Sequence, residues 1–91
     1  MGKIIVKKLT DEEKKEMNIE SWGIWEKEIS TFPWSYSQEE QCYITEGAAK
    51  ITDTQTGESV KIGVDDFVIF QSGLECTWEI TQPIKKYYKF I

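Results

Sequence analysis

The alternation of apolar and polar positions is clearest between Leu74 and Ile80, where Leu74, Cys76, Trp78 and Ile80 interleave with Glu75, Thr77 and Glu79. A period of two sends the two sets to opposite faces, which predicts a strand with Cys76 and Trp78 pointing inward. The same period groups Glu40, Cys42 and Ile44 opposite Gln41, Tyr43 and Thr45, after which Glu46-Gly47 is expected to turn the chain. Val60 and Ile62 alternate with Ser59 and Lys61, and Asp53-Thr54-Gln55-Thr56-Gly57 before them has the residues of a hairpin connection. Phe67 to Phe70 is apolar throughout, as expected of a strand covered on both sides. Ile84 to Phe90 places Ile84, Lys86, Tyr88 and Phe90 on one face, so a lysine sits among apolar neighbours, where lysine is rare.

The first part of the chain reads differently. Lys3 to Leu9 predicts a strand, and Thr10 followed by Asp11-Glu12-Glu13 is a capping-box signature that starts a short helix running to about Met17. Residues 1–21 are thus expected as a preface to a β-rich body over 22–91, in which no segment keeps a helical period. Pro33 and Pro83 fall at expected strand borders, where a missing N–H does least harm. Short strands with frequent turns predict an all-β barrel or jelly roll. A chain of 91 residues can bury one core, so 1–91 is expected to form one domain.

Composition narrows the function. No apolar run approaches the roughly 20 residues that cross a bilayer, and the N-terminus lacks a cleavable export signal, so a cytoplasmic protein is expected, with no membrane partner. A formal net charge of −5 argues against nucleic acid as a partner, because that needs clustered cations. The chain has no His, and all 11 of its basic residues are Lys. It therefore has neither a near-neutral imidazole base nor a guanidinium fork, and acid/base work would fall to carboxylates, Lys, Cys or Tyr. Cys42 and Cys76 are expected as free thiols.

Two spacings carry a family resemblance. Cupins are marked first by His-x-His, three or four residues, Glu, six residues and Gly; here Glu40 and Gly47 keep the last spacing, and Trp34-x-Tyr36 stands where the histidines would be. The second motif runs Gly, five residues, Pro-x-Gly, two residues and His; here Asp65 takes the first Gly, Gln71-Ser72-Gly73 keeps the turn glycine, and Cys76 replaces the His. With Trp22-Gly23-Ile24-Trp25-Glu26-Lys27-Glu28, Cys42-Tyr43 and Cys76-x-Trp78, the sequence resembles the small single-domain cupins similar to ureidoglycine-aminohydrolase and ethanolamine-utilisation cupins. The resemblance implies a small cupin barrel, a double-stranded β-helix or jelly roll with a short N-terminal helix. It also implies the loss of the metal-binding histidines, so no metal and no cofactor are expected.

On that alignment Trp34, Tyr36, Glu40, Cys42, Cys76, Trp78 and Lys86 converge on the barrel mouth or interior. Aromatic walls with a few polar groups suit a small-ligand site, but the same aromatics can simply fill a small barrel. Inward-facing Glu40 and Lys86 each cost several kcal/mol unless paired, and the pair serves equally as a structural ion pair or as a ligand or proton-transfer site. The first functional reading is a metal-independent cupin that binds a small molecule. The second is an enzyme: Glu40 and Lys86 act as acid and base, Cys76 is a nucleophile activated by Lys86, or Glu40 and Cys76 recruit a metal. Against the latter two stands Cys76 as a small buried hydrophobe. A third reading is an interaction module that pairs its edges into a homodimer. Lys85, Lys86 and Lys89 together are expected as a solvated edge.

Overall fold

A computed structural model describes residues 3–91. Its longest strands are β4 (Glu40–Asp53) and β7 (Glu75–Phe90), paired antiparallel along their whole length, from Glu40 opposite Phe90 to Asp53 opposite Cys76. Sixteen residues extended at about 3.3 Å each would span about 53 Å, whereas the longest dimension of the molecule is 34 Å. The pair therefore has to bend. Its register slips between Ile44 and Ala49, opposite the segment from Ile80 to Lys85, and such bulges are where a strand changes direction.

Gly47 makes the bend possible. Its φ is +86°, and a Cβ there would lie 2.1 Å from the Pro83 carbonyl oxygen, so the position excludes every side chain on both conformational and steric grounds. The expected turn at Glu46-Gly47 is thus a corner inside one strand. Likewise, the segments 74–80 and 84–90 are two halves of β7, with Pro83 at the bulge rather than at a border.

Each half of the bent pair gathers different neighbours. The first half of β4 takes β6 (Asp66–Phe70), which in turn takes β1 (Ile4–Lys8), and the second half of β7 takes β2 (Gly23–Lys27). Beyond the corner, β4 takes β5 (Ser59–Gly63) and β7 takes β3 (Ser30–Ser35). Two layers result, joined at the corner, and their inner faces share one core that includes Cys42, Ile44, Ile51, Val68, Phe70, Leu74, Trp78 and Ile80. The expected alternation holds at Leu74, Cys76, Trp78 and Ile80 and at Glu40, Cys42 and Ile44, all buried.

The barrel is not closed. β1, β2, β3 and β5 each pair with one strand only, so the ladder ends in open edges where a closed barrel was expected. The expected preface is part of the sheet, since β1 forms an edge beside β6. It continues into α1 (Asp11–Met17), whose capping box is complete: Glu13 N–H donates to the Thr10 hydroxyl and Thr10 N–H to the Glu13 carboxylate. A 3-10 turn over Ile19–Ser21 follows, and Trp22 then packs on Phe67 at 6.5 Å between ring centres. This covers the outer face of β6 and explains its unbroken apolar run. Among the described residues no helix is long and apolar enough to cross a membrane.

The corner gives a prediction. Gly47→Ala is expected to destabilise the fold by at least about 3 kcal/mol, combining left-handed strain with a backbone clash. Gly57→Ala, at a similar φ of +79° but with nothing within 4 Å of the added Cβ, is expected to cost about 1 kcal/mol. Urea unfolding of both variants measures the difference, and equal losses would remove the clash from the account.

Candidate functional site

β7 alone supplies Trp78, Lys86, Tyr88 and Phe90 to a single cavity of about 520 Å³. The edge strands β2 and β3 wall it with Trp25, Lys27, Phe32, Pro33 and Trp34, and Tyr36 and Glu40 complete its lining after β3 and at the start of β4. Register explains the convergence. In an antiparallel ladder directly opposed residues share a face, and Lys86 stands opposite both Trp25 and Ile44, while Trp78 stands opposite both Phe32 and Ile51.

At the floor, the Lys86 ammonium donates to Glu40 Oε2 at 2.6 Å, with both side chains buried. The ammonium also lies 4.9 Å from the ring centres of Trp25 and Trp78 and 5.8 Å from that of Phe70. A cation held against aromatic faces gains about 0.5–2 kcal/mol per favourable contact, which offsets part of its desolvation. Beside it, Trp78 Nε1–H donates to the Tyr36 hydroxyl at 3.1 Å, and Tyr36 stacks parallel on Phe70 at 4.8 Å. Burial pushes the Tyr36 phenol far above its ordinary pKa, so it stays a neutral O–H donor. Polarity thus increases with depth: Trp34 and Phe90 at the mouth are 53% and 49% exposed, while Tyr36, Glu40, Trp78 and Lys86 are buried.

Five of the seven residues expected at the site, Trp34, Tyr36, Glu40, Trp78 and Lys86, line this cavity. Cys42 does not, being fully buried beneath it. Cys76 lines a separate depression with Trp34, Thr54 and Glu75. Phe90, expected on the inner face, stands half-exposed at the mouth because β7 ends there. The Lys85–Lys89 run is not a sheet edge, since β7 lies between β4 and β2; Lys86 points inward and Lys85 lies 3.9 Å from Glu46. Sequence reasoning did not place Trp25, Lys27, Phe32 and Tyr88 in the site. The period of two does put Tyr88 on the face of Lys86, whereas Trp25 and Lys27 are marked only by the family-like string and Phe32 by nothing, since sequence does not specify which strands pair.

The chemistry of the donors does not suit a metal. Both thiols are free, and burial pushes Cys42 up to about 12 and Cys76 up to about 11, the latter also raised by Asp53. Neither is therefore poised as a nucleophile, which needs a thiol pKa pulled down toward neutrality. The Glu40 carboxylate is already engaged by Lys86. Among the described residues no three His, Cys, Asp or Glu side chains converge.

A bent two-layer jelly roll with a pocket at its open edge is the architecture of a cupin, and comparison with known proteins specifies which. The profile of EutQ-like cupin domains matches residues 14–88, and the chain belongs to that family. A DUF861 family protein of Thermotoga maritima superposes with a TM-score of 0.94 at 40% identity, over 97% of this chain and 99% of that one. The EutQ protein of Clostridium difficile (TM-score 0.67, 18% identity, 96% of this chain and 66% of that one) and a putative ethanolamine utilization protein Q of Salmonella typhimurium (0.68, 17%, 96% and 68%) share the fold. No curated protein matches the sequence.

The buried pair predicts a non-additive result. Glu40→Leu or Lys86→Met alone leaves one charge buried without its partner and is expected to cost about 3–5 kcal/mol, whereas the double substitution is expected to lie closer to wild type than either. A denaturation cycle over the four proteins measures this, and additive losses would mean that the pair is not coupled.

The thiols predict an alkaline effect. A thiol raised in the fold holds its proton while the unfolded chain releases it near 9.0. Its contribution is therefore intact below about pH 9 and is lost as pH climbs toward the folded value. Urea midpoints are expected to fall above about pH 9, less steeply in Cys42→Ala; an unchanged slope in that variant would exclude the thiol as a cause.

Proposed function

We propose that this cupin binds a small organic molecule without a metal, the aromatic walls gripping an apolar or ring-shaped part and the Glu40–Lys86 pair fixing a polar group. The observation that carries the reading is the gradient within one cavity, from half-exposed Trp34 and Phe90 at the mouth to a buried, hydrogen-bonded ion pair at the floor. Ligand sites are typically apolar clefts of this size with a few convergent polar groups. Motif spacing assigns Trp34, Tyr36 and Cys76 to the positions where metal-bearing cupins keep histidines. In support, Trp34 stands opposite Cys76 across the β3–β7 ladder, and Tyr36 N–H donates to the Leu74 carbonyl at 2.9 Å.

The short Glu40–Lys86 contact also favours a second reading, proton transfer to a bound metabolite. The two readings separate at Glu40→Gln, which abolishes turnover in the second and only weakens binding in the first.

The test combines metal analysis by mass spectrometry of protein purified from its native host with thermal shift against a metabolite library, with and without divalent ions. The expected result is metal-free protein stabilised by one chemical class independently of divalent ions, by about 2.7 kcal/mol at a hundredfold excess over Kd. Trp34→Ala is expected to abolish the shift while leaving the apo fold intact. Stoichiometric metal would overturn the metal-independent reading, and a stabilising metabolite unaffected by Trp34→Ala would move the site elsewhere.

A further inference from the structure

Resting on the binding reading above, the geometry points to a specific ligand class: we infer that the cavity takes a small ring-bearing carboxylate that enters acid-first. The argument begins with charge. Three ionisable side chains of fixed sign line the cavity, Glu40, Lys86 and Lys27. Glu40 and Lys86 cancel at 2.6 Å. Lys27, half-buried in β2, has no carboxylate within 4.0 Å among the described residues, and its ammonium lies 5.7 Å from the Phe32 ring centre. The cavity therefore holds one uncompensated positive charge in a protein whose formal net charge is −5. A monoanion brings the site to neutrality, whereas a cation adds to its charge in a partly desolvated space, where like charges repel most.

The hydrogen-bond inventory agrees. The Tyr36 hydroxyl accepts from Trp78 Nε1 but donates to no side chain or backbone group among the described residues, though it is 4% exposed and lines the cavity. Lys86 is already served by Glu40 and by the ring faces of Trp25 and Trp78, which leaves the Tyr36 O–H as the donor to be satisfied. A buried donor without an acceptor is costly, and a carboxylate oxygen supplies the acceptor that the Tyr36 hydroxyl lacks. A neutral alcohol offers fewer lone pairs and no charge for Lys27. Trp34 and Phe90 at the mouth place flat apolar surface where the ring of an acid held at the floor would lie.

The experiment uses three probes that share a ring and differ in charge: 2-naphthoate, 2-naphthylmethanol and 2-naphthylmethylammonium. Each is titrated into the full chain and followed by calorimetry and by the tryptophan indole resonances. The carboxylate is expected to bind at least about tenfold tighter than the alcohol, and the ammonium weakest of the three. Lys27→Gln is expected to weaken the carboxylate by about fivefold, the upper range for a partly exposed charge contact, and to leave the alcohol unchanged. Tyr36→Phe is expected to weaken the carboxylate without disturbing the unfolding midpoint by more than the loss of one hydrogen bond. Equal binding of alcohol and carboxylate, or preference for the ammonium, would overturn the anionic class while leaving the cavity a binding site. Failure of all three to perturb the Trp25, Trp34 and Trp78 indoles would overturn this inference, while the binding reading itself stands or falls on the metabolite-library shift.

Discussion

Two strands of this length can stay paired from end to end only by turning a corner together, and the corner depends on Gly47 lying against the Pro83 carbonyl. From that contact the rest of the architecture follows. On one side of the corner the β4–β7 pair recruits β6, β1 and β2, and on the other β5 and β3. The two layers then face each other, and side chains that a flat sheet would spread along one face are folded toward a common centre. Trp78 and Lys86 lie on opposite sides of the corner in β7, yet the Lys86 ammonium reaches to 4.9 Å from the Trp78 ring. The cavity is thus a consequence of the bend rather than a feature added to it.

The centre is also where the fold places its least comfortable groups. Two opposite charges removed from water recover the cost only when geometry is close and every remaining polar position is served. Lys86 meets that condition through Glu40 and the ring faces of Trp25, Trp78 and Phe70. No side-chain polar atom deeply buried among the described residues lacks a hydrogen-bond partner. Replacing such a pair by apolar residues of similar volume is often neutral or stabilising, so a buried ion pair is weak evidence of stability. They sit at the floor of a cavity whose other end is open to solvent.

What the sequence disclosed depended on how local the cause was. The capping box at Thr10 and Glu13, the hairpin at Asp53–Gly57, where the Asp53 carboxylate accepts from Gln55 N–H, and the inward set Leu74, Cys76, Trp78 and Ile80 are fixed by neighbours a few positions apart. They were legible. So was the inward Lys86, because a period of two puts it among apolar residues whatever its partner. The continuity of β4 and β7 was not legible, since Gly47 and the 81–83 segment have turn-like composition, and only their mutual contact makes a corner of two apparent turns. Nor was the open ladder, because edges are decided by which strands meet. Trp25, Lys27 and Phe32 entered the site through cross-strand register, which spacing along one chain does not encode.

Asp65 shows how a motif can lose its letters and keep its geometry. It stands where the cupin pattern has glycine and adopts a left-handed φ of +73°, a conformation Asp tolerates better than most residues. Its carboxylate also accepts from the Tyr43 hydroxyl at 2.7 Å, and its N–H donates to the Ile44 carbonyl. The turn is preserved by different means, so the neighbouring strands keep their places. At Trp34, Tyr36 and Cys76 the strands are likewise held by backbone pairing, with Trp34 opposite Cys76 and Tyr36 N–H donating to the Leu74 carbonyl. Trp34 and Tyr36 thus bring their aromatic faces to the cavity from segments that backbone pairing keeps in place.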